Sequence, residues 1–243
     1  MATDRHAEGA LRVAVLTGAG ISADSGLPTF RDAGGLWEGR RPEEVATPEA
    51  WRAEPQLVWR FYQQRRAALG GVEPNAAHVA LAAASEALAE RGGRLDLITQ
   101  NVDDLHQRAG SQPLCMHGEL AVLRCPICGA RCRDLEHTDP GEFVPCQACG
   151  HGRLRPDVVW FGEVPYHLEK IERILTAADL FISIGTSGAV YPAAGFLAAA
   201  RQLGKTTWVQ SLDEPDNLDP RDRFFPGRAV ERVPELIEQL LAS

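Results

Sequence analysis

Three groups of residues along this chain have the types and spacing to do chemistry. The first is Gly18-Ala19-Gly20-Ile21-Ser22-Ala23-Asp24-Ser25-Gly26-Leu27-Pro28-Thr29-Phe30-Arg31, which follows the apolar run Val13 to Leu16. Gly18, Gly20 and Ala23 fit the pattern G-x-G-x-x-A, whose glycines allow a tight turn and bring backbone N–H groups to a pyrophosphate. Pro28 cuts short the helix that should follow, and Phe30 and Arg31 come at once, which predicts a loop folded over the ligand. No acidic residue ends a clear second strand about twenty residues on, as an ordinary ribose site requires. The turn points to a nucleotide, and the departure to an unusual nucleotide enzyme.

The second group is polar. Thr99-Gln100-Asn101-Val102-Asp103-Asp104-Leu105-His106 follows the strand-like Leu95 to Ile98, which sets Gln100, Asn101 and Asp103 at a carboxyl end. Taken alone these residues read first as a helix cap, with Asn101 capping and Asp103 and Asp104 favouring the helix N-terminus, and the cap is compatible with a ligand site because both use the first turn. Farther on, in Leu114-Cys115-Met116-His117-Gly118-Glu119-Leu120, His117 is placed for general-base work because imidazole titrates near neutrality. His6, His78, His106, His137, His151 and His167 are weaker candidates by position.

The third group is metal-binding in character. Cys125-Pro126-Ile127-Cys128 and Cys146-Gln147-Ala148-Cys149 are separated by the 17 residues Gly129 to Pro145. Two matched pairs at this spacing point to a tetrahedral zinc site of Cys125, Cys128, Cys146 and Cys149 rather than to a redox pair. Four thiolates leave no open position, so the ion should be structural. Cys132 lies nearby without a partner, and Cys115 reads as a buried strand residue.

Elements able to position these groups are legible in the alternation of patterns. Candidate strands are Leu11–Leu16, Leu95–Thr99, Asp157–Phe161, Leu180–Gly185 and Thr206–Gln210. Helical patterns lie at Pro55–Leu69, Asn75–Arg91, Val102–Ala109, His167–Ala178, Ala193–Leu203 and Val233–Leu241. This order predicts an α/β fold, a Rossmann-like parallel sheet with helices on both faces, plus a small zinc-ribbon module and a helical insertion. Ligands then bind beyond the carboxyl ends of the strands, at the turns beginning at Thr17, Gln100, Gly162 and Gly185. The expected division is 1–36, 73–122 and 155–243 for the Rossmann-like domain, 37–72 for the helical insertion and 123–154 for the zinc ribbon.

The 243 residues suffice for a large core and a small module. Apolar residues make up 44% and charged residues 24%, ordinary for a soluble globular protein. A net charge of −8 argues against a general nucleic-acid binder. Neither a signal-peptide stretch nor a membrane span is evident, so a cytoplasmic protein is expected, acting as a monomer.

Taken in order, GAGISADSGLPTFR, TQNVDDLH, HGEL, the paired C-x-x-C, RPDVVWFGE and GTSGAVYPAA resemble the sirtuins, the NAD-dependent protein deacylases, from about Arg12 to Leu241. The resemblance implies NAD as co-substrate and acylated-lysine proteins as partners. Gly18, Ala19, Gly20 and Ser22 would hold the ADP part of NAD. Phe30 and Arg31 would close over the nicotinamide ribose, and Gln100, Asn101 and Asp103 would line the nicotinamide pocket. His117 would be the catalytic base. Gly185, Thr186 and Ser187 would meet the adenosine side, with Ser211 and Ala229 also assigned there. Val159, Trp160, Phe161, Gly162 and Glu163 would face the substrate. After the strand Thr206–Val209 the family often has an Asn; here Gln210-Ser211-Leu212 stand instead.

Tyr62 and Arg65 lie three apart in a helical pattern and so share a face. They resemble the Y-x-x-R of class III sirtuins, which remove succinyl, malonyl and glutaryl groups, although a solvated arginine-rich face reads the same way. The expected activity is NAD-dependent desuccinylation or demalonylation with deacetylation. The competing readings are ADP-ribosyl transfer or NAD cleavage on the same scaffold, and a non-catalytic zinc- and NAD-binding module.

Overall fold

Every residue from Val13 to Thr17 is buried, so the first strand has to be covered on both faces. A computed structural model, which describes residues 10–28 and 40–242, shows how. In chain order the elements are β1 (Arg12–Thr17), α1 (Pro42–Val45), α2 (Pro48–Ala53), α3 (Pro55–Leu69), α4 (Ala76–Glu90), β2 (Arg94–Thr99), α5 (Leu105–Arg108), β3 (Leu114–Cys115), β4 (Gly118–Arg124), β5 (Arg131–Arg133), β6 (Arg155–Val158), α6 (Leu168–Ala177), β7 (Leu180–Ile184), α7 (Ala194–Gln202), β8 (Thr206–Ser211), β9 (Arg223–Pro226) and α8 (Ala229–Ala242).

Six strands form a parallel sheet in the order β3-β2-β1-β7-β8-β9. Side chains alternate across a strand, so β1 feeds two cores. Val13 and Val15 pack with α4 and α8, through Leu81, Leu88, Val233 and Leu236. Ala14 and Leu16 pack with α6 and α7, through Ile171, Leu175 and Leu197. The strand order reverses at β1, which pairs with β2 on one side and β7 on the other. A crevice at the carboxyl ends follows from that switch.

β1 runs into two short 3-10 turns, Ala19–Ile21 and Ala23–Ser25, rather than directly into an α-helix. The glycine turn lies against the loop after β7. A Cβ on Gly20 would meet the Gly185 Cα at 2.8 Å and its carbonyl oxygen at 2.9 Å. The same approach lets Gly20 N–H donate to Gly185 C=O at 2.9 Å. These glycines are thus needed by backbone-on-backbone packing within the protein itself. Gly20→Ala is expected to cost about 1–3 kcal/mol by overpacking, read as a lower urea midpoint with an unchanged slope.

Two expectations need correction, and some strands were not foreseen. Asp157–Phe161 does not add to the parallel sheet. The strand there is Arg155–Val158, and it pairs antiparallel with β4 in a second sheet ordered β5-β4-β6. An apolar run signals burial but not its partner, and the tight pairing at Gly118 decided it. There a Cβ would fall 1.9 Å from the Asp157 carbonyl oxygen, and Gly118 has φ +81. Val102–Ala109 is helical only over Leu105–Arg108, because Asn101 and Asp103 are engaged in tertiary bonds described below. β4, β5 and β9 were not anticipated; β5 and β9 are short edge strands with no strong apolar pattern.

A third core joins α1 and α3 to the second sheet, through Val45, Val58, Phe61, Tyr62, Leu120 and Trp160. A fourth, around Trp59, Leu123 and Leu154, reaches Cys125 and Cys146. β4 therefore runs directly from His117 to the first cysteine pair. Among the described residues no helix is long and apolar enough to cross a membrane.

Candidate active site

Two of the three chemical groups, the glycine turn and the polar residues with His117, meet where the chain topology demands, at the β1 switch point. A cavity of about 470 Å³ is lined by Gly18, Ala19, Gly20 and Ser22 from the first turn, and by Gln100, Asn101 and Asp103 after β2. His117 stands beside them, with Gly185, Thr186 and Ser187 after β7 and Ser211 at the end of β8. Arg65 and the segment Val159, Trp160, Phe161, Gly162 and Glu163 complete the opposite wall.

Asn101 is no helix cap. Its Nδ2 donates to the Gly18 carbonyl at 3.1 Å and to Ser22 Oγ at 3.2 Å. The Ser22 hydroxyl donates in turn to Asp103 Oδ2 at 3.1 Å, and Asp103 Oδ1 accepts Leu105 N–H at 3.2 Å. Burial raises the Asp103 carboxyl above its ordinary value, against the opposing pull of these bonds. The polar loop after β2 and the glycine turn after β1 are thereby one hydrogen-bonded unit.

His117 faces this unit. Its Nδ1 lies 3.0 Å from the Gln100 carbonyl oxygen. A carbonyl only accepts, so Nδ1 carries the proton and the neutral ring keeps its lone pair on Nε2. Burial pushes the imidazole below its usual value, although the Gln100 bond opposes this. The ring is therefore neutral near pH 7 and able to take a proton.

Two histidines ranked as weak by position belong to the same network. Asn75 N–H donates to His78 Nδ1 at 3.3 Å, so His78 Nε2 is the nitrogen facing Ser22 Oγ at 3.4 Å. His106 Nε2 lies 2.9 Å from Thr17 Oγ1, which donates to Thr99 Oγ1. The two rings meet edge to face, with centroids 4.8 Å apart. Only an i-to-i+4 helix contact would show in a sequence, and these partners lie over 50 residues apart. Burial pushes His78 down to about 4 and His106 down to about 3, the latter with a small contribution from His78. Unfolded, both titrate near 6.5, so below that pH the unfolded chain binds more protons than the folded one. Stability is expected to fall as pH drops from about 6.5 towards about 4. His106→Gln should flatten that slope in urea titrations at pH 7, 6 and 5, and an unchanged slope would refute the assignment.

The opposite wall is tied by a residue outside the expected set. Arg155 grips Glu163 through Nη1–Oε1 at 2.7 Å and Nη2–Oε2 at 2.9 Å. Its guanidinium carbon also lies 3.3 Å from the centroid of the Trp160 ring. Trp160 N–H donates to Glu163 Oε2 at 2.9 Å. Partial burial works to raise the Glu163 carboxyl, but the Arg155 and Trp160 bonds hold it below its ordinary range. Glu163 is thus engaged mainly in shaping this wall. The only sequence signal for Arg155 was its place at the head of RPDVVWFGE.

Tyr62 stands behind the wall. It is fully buried, its hydroxyl accepts Trp160 Nε1–H at 3.0 Å, and burial pushes it up to about 12. Arg65, one helical step on, reaches the cavity itself, with its guanidinium carbon 5.6 Å from the Phe61 ring centroid. Ala229 opens α8 and packs in the sheet core rather than in the cavity wall. Phe30 and Arg31 lie outside the described residues.

At the far end of β4 the sulfurs of Cys125, Cys128, Cys146 and Cys149 all lie within 4.8 Å of one another. Cys125–Cys149 and Cys128–Cys146 are 3.7 and 3.6 Å apart. Zinc–thiolate bonds of about 2.3 Å in a tetrahedron give edges of about 3.8 Å, so the donor set fits one zinc ion. Cys132 is exposed and is not part of this cluster.

A family model described as the Sir2 family matches residues 18–192. The NAD-dependent protein deacylase of Caulobacter vibrioides is 52% identical over 236 residues, covering 96% of this chain and 98% of that protein. That of Shewanella oneidensis is 50% identical over 235 residues, covering 95% of each. A Sir2 homolog solved as its NAD complex superposes with a TM-score of 0.83 at 38% identity, covering 94% of this chain and 89% of that one. Sir2Af2, solved with a myristoylated histone peptide, gives 0.72 at 31% identity, with 94% and 90% covered. This chain belongs to the Sir2, or sirtuin, family.

Proposed function

We propose that this sirtuin is an NAD-dependent protein-lysine deacylase that favours acidic acyl groups such as succinyl and malonyl. The observation that carries the reading is that one cavity is lined both by His117, with its Nε2 lone pair available, and by the Arg65 guanidinium. The glycine turn would receive the pyrophosphate of NAD, and the Asn101–Ser22–Asp103 unit the nicotinamide end. Gly185, Thr186, Ser187 and Ser211 would receive the adenosine side.

In this reading the acyl oxygen of the modified lysine attacks the ribose C1′ as the C1′–nicotinamide bond breaks. His117 Nε2 takes the proton of a ribose hydroxyl, whose oxygen then bonds to the acyl carbon. The lysine amine leaves, water adds to the acyl carbon, and the bond from that carbon to the C1′ oxygen breaks, so that C1′ keeps a hydroxyl and the acyl group ends as an ester on the ribose hydroxyl of ADP-ribose. Trp160, Phe161 and Gly162 would form the wall along which an extended peptide lies. Arg65 would hold a distal carboxylate by a charge-assisted bond, with Tyr62 setting the position of Trp160 beside it. The zinc ion does no chemistry here; bound, it holds the cysteine module that lacks a large apolar core.

A single assay tests both parts of the reading. One peptide carrying either acetyl-lysine or succinyl-lysine is incubated with the enzyme, with and without NAD, and the products are weighed by mass spectrometry. Faster, NAD-dependent loss of succinyl is expected. Acetyl loss alone would overturn the acidic-acyl preference, and no NAD-dependent turnover of any acyl peptide would overturn the deacylase reading.

A further inference from the structure

Helix α3 has a second polar face besides the one that carries Arg65. Gln56, Trp59, Gln63 and Arg66 recur at spacings of three, four and three, which is one stripe of an α-helix. Each of them donates to a backbone carbonyl of the loop that leads from β5 to the second cysteine pair. Gln56 Nε2 reaches the Pro140 carbonyl at 2.8 Å, Trp59 Nε1 that of Glu142 at 2.7 Å, and Gln63 Nε2 that of His137 at 2.8 Å. Arg66 Nη2 meets the Asp134 carbonyl, and its Nη1 donates to Leu120 C=O in β4 at 2.9 Å. Gln63 and Arg66 are buried despite their polarity, so water cannot replace these partners. Burial lowers the Arg66 guanidinium, and the Asp134 carboxylate opposes that shift.

The loop also carries hydrogen bonds of its own where it is gripped. Asp134 Oδ1 accepts the N–H groups of Glu136 and His137, Asp139 Oδ1 accepts that of Gly141, and Asp134 N–H is bonded to the Ala121 carbonyl. Phe143 closes the grip against Trp59, with ring centroids 5.4 Å apart. Carbonyls of an irregular loop are recognised here by side chains of a helix, and no residue type in the loop announces it.

We propose that Gln56, Trp59, Gln63 and Arg66 are specificity-positioning residues, through which the zinc module sets the place of α3 and so of Arg65 in the acyl pocket. The inference rests on the reading of Arg65 given above. A charged clamp works only when held within about half an ångström of its productive place. A small slide of α3 therefore weakens capture of a carboxylate more than that of an acetyl group, which offers none and feels α3 only through the wall that Tyr62 and Trp160 share. The NAD-facing groups sit on other elements, after β1, β2 and β7. Selectivity and NAD use are accordingly separable.

The test uses Gln63→Met and Trp59→Phe, with Gln56→Met as a milder variant at an exposed bond. For each, kcat/KM is measured on succinyl- and acetyl-lysine forms of one peptide, together with the KM for NAD and the zinc content of the purified protein. The expected result is a fall of about three- to tenfold in the succinyl-to-acetyl ratio, with full zinc content and unchanged KM for NAD. An unchanged ratio, or equal loss on both substrates, in variants that keep their zinc would overturn the proposal. Should Gln63→Met and Trp59→Phe lose their zinc, Gln56→Met decides by the same ratio. Arg65→Met separates the two levels. If it leaves the ratio intact, the Arg65 reading fails; if it collapses the ratio while the positioning variants do not, only this proposal fails.

Discussion

Replacing His117 by alanine is expected to lower deacylation by about 10²- to 10⁴-fold, the usual contribution of a positioned general base, while NAD still binds. The separation follows from the geometry. The glycine turn proposed to receive NAD is held by Asn101, Ser22 and Asp103, whose bonds to one another do not pass through the imidazole. The imidazole is hydrogen-bonded to that unit at the Gln100 carbonyl. Calorimetric titration of NAD into His117→Ala should therefore give an affinity close to that of the unaltered protein, and single-turnover assays should give almost no product. Retained turnover would remove the imidazole from the proton transfer. The pH profile adds an independent check. The base must be neutral to act, and burial holds its pKa below 6.5. Activity should rise with pH through a value under 6.5 and be flat at neutrality. An acid limb centred above 6.5 would contradict the placement of the ring.

Arg65→Met is expected to reduce kcat/KM for succinyl-lysine by about ten- to a hundredfold and to spare acetyl-lysine. A hydrogen bond to a charged group contributes about 1.5–3 kcal/mol, and each 1.4 kcal/mol is about tenfold. Methionine keeps the apolar length of the side chain, so packing against Phe61 is largely preserved. Tyr62→Phe is predicted to act differently. Its hydroxyl accepts the Trp160 indole N–H in a fully buried site, so its loss should move the wall and affect both acyl groups. Equal losses for both substrates in Arg65→Met would assign Arg65 to packing rather than to carboxylate recognition.

Much of the site was legible because its parts are local. A glycine turn after a buried strand, a polar turn after the next strand and two C-x-x-C pairs each announce themselves within a few residues. Tertiary partnerships do not. Asn101 read first as a helix cap, and its bonds instead go to Gly18 and Ser22, more than 75 residues away. Glu163 read as substrate-facing, and Arg155 holds it. Arg66 could belong to a solvated basic face, yet it is buried against Leu120 and Asp134.

By itself the sequence determined the class of fold, the cysteine set and the family, since periodicity, turn chemistry and ligand spacing are properties of short segments. Tertiary structure alone decided that Arg155–Val158 leaves the parallel sheet for β4, that His78 and His106 join the polar network, and that α3 is gripped by the zinc module. Those outcomes depend on which apolar faces and which backbone carbonyls meet after collapse. Residues dozens of positions apart carry no mark of each other, because the donors are common side chains and the acceptors are carbonyls that every residue has.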